Sequence, residues 1–239
     1  MLSKTPKKSE LEAVEGRLGE ARYLHISPPN MGIISFRIVG DTPLMVSSFT
    51  QKAIGKMRAV HEAGTKAKSK KIREARDFNE DYEQAFHRSH EGWAGMPAGA
   101  FRTAMVDACR LVGYAMTKAK LAVFIEKDGL DRVTQVPLVR ITGEPQMRIK
   151  PERNDDGSMD LRSRPVWENW SVESLRIRFD QDMFGADDVY NLLMRAGLQV
   201  GIGEGRPNSR NSTGIGFGLW NVDQGWTVEV PRPMKGARK

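Results

Sequence analysis

Cysteine is nearly absent from this chain: Cys109 is the only one among 239 residues. A single thiol excludes an internal disulfide and any multi-cysteine zinc site, and it suits a reducing compartment. Histidine is scarce as well, limited to His25, His61, His87 and His90. No run approaches the roughly 20 apolar residues of a membrane span. The opening segment MLSKTPKKSELEAVEGRLGE has no apolar centre of the kind a secretory signal carries. The expectation is a cytoplasmic protein without a membrane partner. No Gly-Lys-Ser/Thr ending supplies a P-loop, and no HExxH supplies a zinc site.

What is abundant is positive charge, with a formal net charge of +7 and a pI near 9.6. A basic surface attracts polyanions over a range set by salt screening, and nucleic acid is the commonest of these. The length suffices for one elaborated domain with its own core. Residues 1–31 are polar and charged, with Lys4, Lys7 and Lys8 near the start, and read as an arm. Residues 32–230 read as a single domain and 231–239 as a basic tail.

Within that domain, GIISFRIVG alternates apolar and polar residues in the period of a half-buried strand, and DTPLMVSS follows as a second extended piece. From Thr50 to about Glu91 the chain reads as helical and charged, and residues 62–95 form a basic insertion. At its centre Lys66, Lys68, Lys70, Lys71, Arg73 and Arg76 stand against Glu74 alone, the pattern of a solvated projection. GMPAGAFRTAMVDACRLVGYAM predicts a helix whose core face is Phe101, Met105, Ala108, Val112 and Met116. LAVFIEKDG predicts a strand with TQVPLVRITG as its partner, Pro137 confining that partner to an edge or a bulge. Residues 151–170 read as a polar excursion. SVESLRIRFD is then a strand, DQDMFGADDVYNLLMRAG a helix with Gly197 past its end, and GFGLWNVD and GWTVEV are the closing strands. The order matches an α+β, ferredoxin-like or RRM-like arrangement, an antiparallel sheet with two helices and a basic inserted projection. The open face of such a sheet is a common bed for single-stranded nucleic acid.

The stretch GLQVGIGEGRPNSRNSTGIGFG, before the last strand, is the most unusual in the chain. A dinucleotide fingerprint runs from strand through glycines into helix, and here the order is reversed, so no nucleotide cofactor is expected. Glycine-rich backbone can still approach a phosphodiester closely, and Gly203 and Gly205 with Arg206 and Arg210 are candidate phosphate contacts. A flexible basic hairpin accounts for the loop equally well.

GMPAGAFRTAM opening a helix, together with VGIGEGRP…STGIGFG leading into the last strand, resembles the RAMP superfamily of RNA-binding proteins in CRISPR effector complexes, in particular the backbone subunit. The resemblance spans much of residues 32–222, and it extends to phage-encoded proteins of unassigned role, which would place the protein in a bacterial host cell. It implies that the early helical arginine, here Arg102, and the glycine-rich loop contact RNA. It also implies that an aspartate near the first helix supports metal-dependent cleavage in some relatives; Asp41 occupies that region, where its simplest role is a turn before Pro43.

Two further features complete the candidates. Arg162 and Arg164 lie beside Trp167 and Trp170, an interleaving that single-strand binders use for phosphate and base, although tryptophans pinning a loop to the core give the same pattern. His87 and His90 have HxxH spacing near acidic residues, but without further ligands they read as a helix-surface pair rather than a metal site. The composite expectation is a non-catalytic binder of single-stranded nucleic acid, RNA or DNA, able to assemble as a homo-oligomer or filament along the strand, with no cofactor or metal. The alternatives are a metal-dependent nuclease and a phage structural or adaptor protein.

Overall fold

In a computed structural model of the chain, the alternating residues after Asn30 form strand β1 (Met31–Gly40), with Ile34, Phe36 and Ile38 at most 1% exposed. The structure describes residues 26–48, 77–153, 159–209 and 214–229, with positions 55, 58, 61 and 62 between the first two segments. β1 pairs antiparallel with β10 (Ser171–Asp180) along one edge and with β11 (Trp220–Glu229) along the other. β5 (Val123–Ile125) pairs antiparallel with β10, so the sheet order is β11-β1-β10-β5. The protein is thus a mixed α+β molecule with antiparallel sheets.

One face of this sheet is covered by α2 (Ala98–Ala108) and α4 (Ala186–Arg195). Phe101 of α2 meets Trp220 of β11 edge-on at 5.8 Å, and Tyr190 of α4 lies 6.1 Å from Phe36 of β1. Of the core face expected for the first of these helices, Phe101, Met105 and Ala108 are buried as the spacing requires. Val112 is instead 48% exposed. After Ala108 the chain tightens into a 3₁₀ turn (Cys109–Val112) that ends at Gly113, and three residues per turn rotate Val112 off the helical stripe. Cys109 is fully buried, and Met116 opens a separate helix, α3 (Met116–Ala122), partly packed on the core.

Three other expectations are corrected. Within the polar excursion read at 151–170, most described residues are strand: β8 (Pro145–Arg153) and β9 (Met159–Trp167) pair antiparallel over their whole length, with β2 (Leu44–Met45) beside β9. The strand TQVPLVRITG does not partner β5. Its ordered part, β7 (Pro137–Arg140), lies between β4 (Ala94–Pro97) and β6 (Gly129–Leu130), with β3 (His87–Arg88) beyond β4. Pro137 sits at the strand's first position, where its missing N–H is least costly. Among the described residues, the helical reading to Glu91 holds at positions 55, 58, 61 and 62 and in α1 (Phe78–Gln84), whose N-terminal amides at Asn79 and Glu80 donate to the Asp77 carboxylate, and it gives way to strand at His87.

After Arg195, α4 widens into a π turn (Ala196–Val200), so Gly197 lies inside the helical segment and not past its end. A β-carbon there would stand 2.3 Å from the Trp220 carbonyl oxygen. The glycine-rich connection follows and is stitched to β2 and its approach by backbone bonds, Gly218 N–H to Pro43 O at 2.8 Å and Glu204 N–H to Met45 O at 2.8 Å. Among the described residues no helix is long and apolar enough to cross a membrane.

Gly218 has φ +71° and a β-carbon there would lie 1.8 Å from the Ile202 carbonyl oxygen, whereas Gly216, at φ +85°, has open space. Gly216→Ala should therefore cost only the left-handed strain, about 1–2 kcal/mol. Gly218→Ala adds a backbone collision and should cost more than about 3 kcal/mol. Urea denaturation of both variants checks the ordering.

Candidate functional site

β8 and β9 alternate in period two, which places Arg148, Lys150, Arg162 and Arg164 on one side of the ribbon. The register sets Arg148 opposite Arg164 and Lys150 opposite Arg162. Like charges directly opposite repel, so this surface needs anions. The hairpin's other side carries Met147, Ile149, Leu161 and Met159, which are 40–64% exposed.

The basic side faces a cleft of about 1060 Å³ bounded by the first turn of α2 and by the glycine-rich loop. Arg162, Arg164, Gly203, Gly205 and Arg206, nominated from two separate stretches of sequence, all line this one cleft. Lys150 joins them and was missed; recognising the hairpin and its register would have found it. No side chain caps α2, whose start follows Pro97, and Gly99 and Ala100 of its first turn line the cleft. Uncapped first-turn amides add positive potential there.

Two acids are set into the cleft. Asp107 accepts a hydrogen bond from Asn208 Nδ2 at 2.6 Å. Glu204 stands between two cations, Oε1 lying 2.7 Å from Lys150 Nζ and Oε2 2.9 Å from Arg164 Nε. Burial alone would raise the Glu204 carboxyl, but the adjoining Lys150 ammonium and Arg164 guanidinium outweigh it and hold it below the usual carboxylate range. Arg206 donates to the Gly203 carbonyl at 3.0 Å, bracing the loop across its own turn.

The remaining candidates fall elsewhere. Arg102 donates to the Val123 carbonyl at 2.9 Å and to that of Lys120, and its guanidinium lies 4.9 Å over the Phe124 ring, tying α2 to α3 and β5 outside the cleft. Lys66, Lys68, Lys70, Lys71, Arg73, Arg76 and Arg210 lie outside the described residues. Trp167 and Trp170 are 1% and 3% exposed, and Trp170 Nε1 donates to Thr42 O, so they pin the hairpin base and offer no stacking face. Asp41 terminates β1's turn, accepting from Asn221 Nδ2 at 3.3 Å. The open face of the main sheet is also committed: Arg37 pairs with Glu173 and Asp223, Arg176 with Asp128, and Arg178 with Glu126.

His87 and His90 do not share a helix face. His87 is on β3 and lines the cleft, its Nδ1 3.3 Å from Asp131 Oδ2, while His90 lies in the following turn against Gln135. Asp131 is 1% exposed and accepts the Val133 and Thr134 amides. Among the described residues no group of three His, Cys, Asp or Glu side chains could hold a metal ion. No protein-family model and no curated protein sequence matches the chain.

Burial lowers the His87 imidazole's pKa from its ordinary 6.5, and Asp131 only partly offsets this. The unfolded chain then binds a proton that the folded chain refuses, so stability falls as pH drops from about 6.5 toward the folded value. Urea unfolding at mildly acidic and mildly alkaline pH should show this loss, and His87→Asn should shrink it. An identical loss in the variant would assign it to other groups.

Proposed function

We propose that this protein is a non-catalytic binder of single-stranded nucleic acid, RNA or DNA, held through its phosphates in the cleft between the β8–β9 hairpin and the glycine-rich loop. The observation that carries this reading is the convergence of Lys150, Arg162, Arg164 and Arg206 with Gly203, Gly205 and the uncapped start of α2 around one cleft. Alternate residues on a strand stand about 6.8 Å apart, so Arg162 and Arg164 can meet successive phosphates of an extended strand. Guanidinium forks and backbone N–H groups are suited to phosphate oxygens and carry no base code, which favours limited sequence preference.

The order β11-β1-β10-β5, with α2 after β1 and α4 after β10, supports the split-βαβ, ferredoxin-like or RRM-like reading of the domain. That topology keeps the RAMP resemblance, and with it a phage-encoded relative, as the family we favour. It also moves the expected binding surface from the ion-paired sheet face to the cleft. A homo-oligomer or filament along the strand fits the exposed apolar side of the hairpin, which offers a neighbouring copy a surface.

Fluorescence anisotropy with oligouridylate and oligothymidylate tests the reading. Affinity should fall linearly in log–log form with salt, by about 0.7 per phosphate neutralised on a single strand. Arg162→Ala with Arg206→Ala should weaken binding at least about tenfold on every sequence, the worth of one charge-assisted hydrogen bond at roughly 1.5 kcal/mol, and flatten the salt slope. Absence of binding at low salt would favour an adaptor that docks an acidic protein.

A further inference from the structure

Glu204 is the anomaly in an otherwise cationic cleft. Its two carboxylate oxygens each take one cation, Lys150 at 2.7 Å and Arg164 at 2.9 Å, as two non-bridging oxygens of a phosphodiester would. The three side chains are 14–23% exposed, so the arrangement is set into the cleft and not spread on the surface. The backbone beneath the carboxylate is fixed. Glu204 N–H donates to Met45 O at 2.8 Å, and a β-carbon on neighbouring Gly203 would stand 2.5 Å from that same oxygen. The side chain, by contrast, is 21% exposed and borders the cleft of about 1060 Å³, and a side chain can change rotamer without any movement of that backbone.

We propose that the Lys150 and Arg164 pair is a phosphodiester subsite, that Glu204 fills it when no strand is bound, and that a polynucleotide enters by displacing this carboxylate. The inference rests on the nucleic-acid reading above and adds an internal competitor to it. In the free protein Glu204 relieves the repulsion between the facing cations of β8 and β9. A phosphodiester brings one negative charge and two acceptor oxygens to the same place, so the exchange conserves charge. One phosphate alone gains little over the tethered carboxylate, whereas a strand that also engages Arg162 and Arg206 gains those contacts in addition. The cleft therefore discriminates a polymer from a free phosphate or a mononucleotide.

The test compares the full chain with Glu204→Gln, in the wild-type background and combined with Lys150→Gln and Arg164→Gln, folding being checked by circular dichroism and thermal midpoint. Oligouridylate should bind Glu204→Gln about tenfold more tightly than wild type, with a salt slope steeper by about 0.7 for each cation newly available to phosphate. Inorganic phosphate should raise the thermal midpoint of Glu204→Gln and leave that of wild type unmoved. Both gains should vanish when Lys150 and Arg164 are also replaced. A folded Glu204→Gln protein that binds oligouridylate no better than wild type overturns the gate while leaving the binder intact. A gain that survives loss of Lys150 and Arg164 also overturns it, because the effect is then one of net charge. If neither protein binds oligouridylate at low salt and phosphate shifts neither midpoint, the inference and the nucleic-acid reading fall together.

Discussion

The pairing of β1 along both its edges is the constraint on which the other elements depend. Its partners are far away in sequence: Ile34 faces Ile177 on one side and Val228 on the other. Each fully buried apolar side chain in this strand contributes roughly 1.5–3 kcal/mol, and that burial exists only once both distant strands have arrived. Closing longer loops costs little more than closing shorter ones, since the entropy grows logarithmically. The connections between the core elements can therefore carry large additions, and the β8–β9 hairpin and the β3-β4-β7-β6 sheet are built into them. The glycine-rich connection is different. It is the last closure before β11, and its backbone bonds to Pro43 and Met45 make it part of the frame.

Charge is distributed in two ways across this frame. On the open face of the main sheet Arg37 and its acidic partners are 42–58% exposed, and such pairs each contribute little because water screens them. In the cleft the pairs around Glu204 are far more enclosed, so both the attraction and the cost of leaving a cation unmatched are larger. A net charge of +7 says only that a polyanion is attracted. The register of one hairpin decides where four of the cations gather, since it places Lys150 against Arg162 and Arg148 against Arg164.

The sequence displays some of this openly and hides the rest for identifiable reasons. β1, β10 and the Phe101, Met105 and Ala108 face of α2 follow periodicities that propensity and burial both favour and form where the pattern places them, whereas α4 begins at Ala186 inside the longer helix expected from Asp180. The hairpin escaped because its alternation is written in arginine and lysine against methionine, isoleucine and leucine, which resembles polar irregularity when no core residue anchors it. Val112 left its face when the helix tightened, a local change of pitch that carries no compositional mark. Arg162 and Arg206 were both visible as cations, but nothing in their separation of forty-four residues along the chain announces a shared cleft. Arg102 was visible too, yet its role depends on carbonyls at the end of α3, which only the tertiary structure brings within reach.

In the glycine-rich loop, backbone that is closely packed at Gly203 and Gly218 carries the charged side chain of Glu204. Glycine is needed at Gly218 and Gly203 because neighbouring carbonyl oxygens leave no room for a β-carbon, so composition that suggests flexibility here reports close packing. At those two positions a shift of the backbone would break its bonds to Met45 and Pro43. What remains free to respond is side-chain rotation, and Glu204 is the side chain positioned to use it. Reorienting one carboxylate costs a few rotamers and two ion pairs, far less than remaking the backbone bonds to Met45 and Pro43. The frame can thus stay fixed while one anion replaces another beside Lys150 and Arg164.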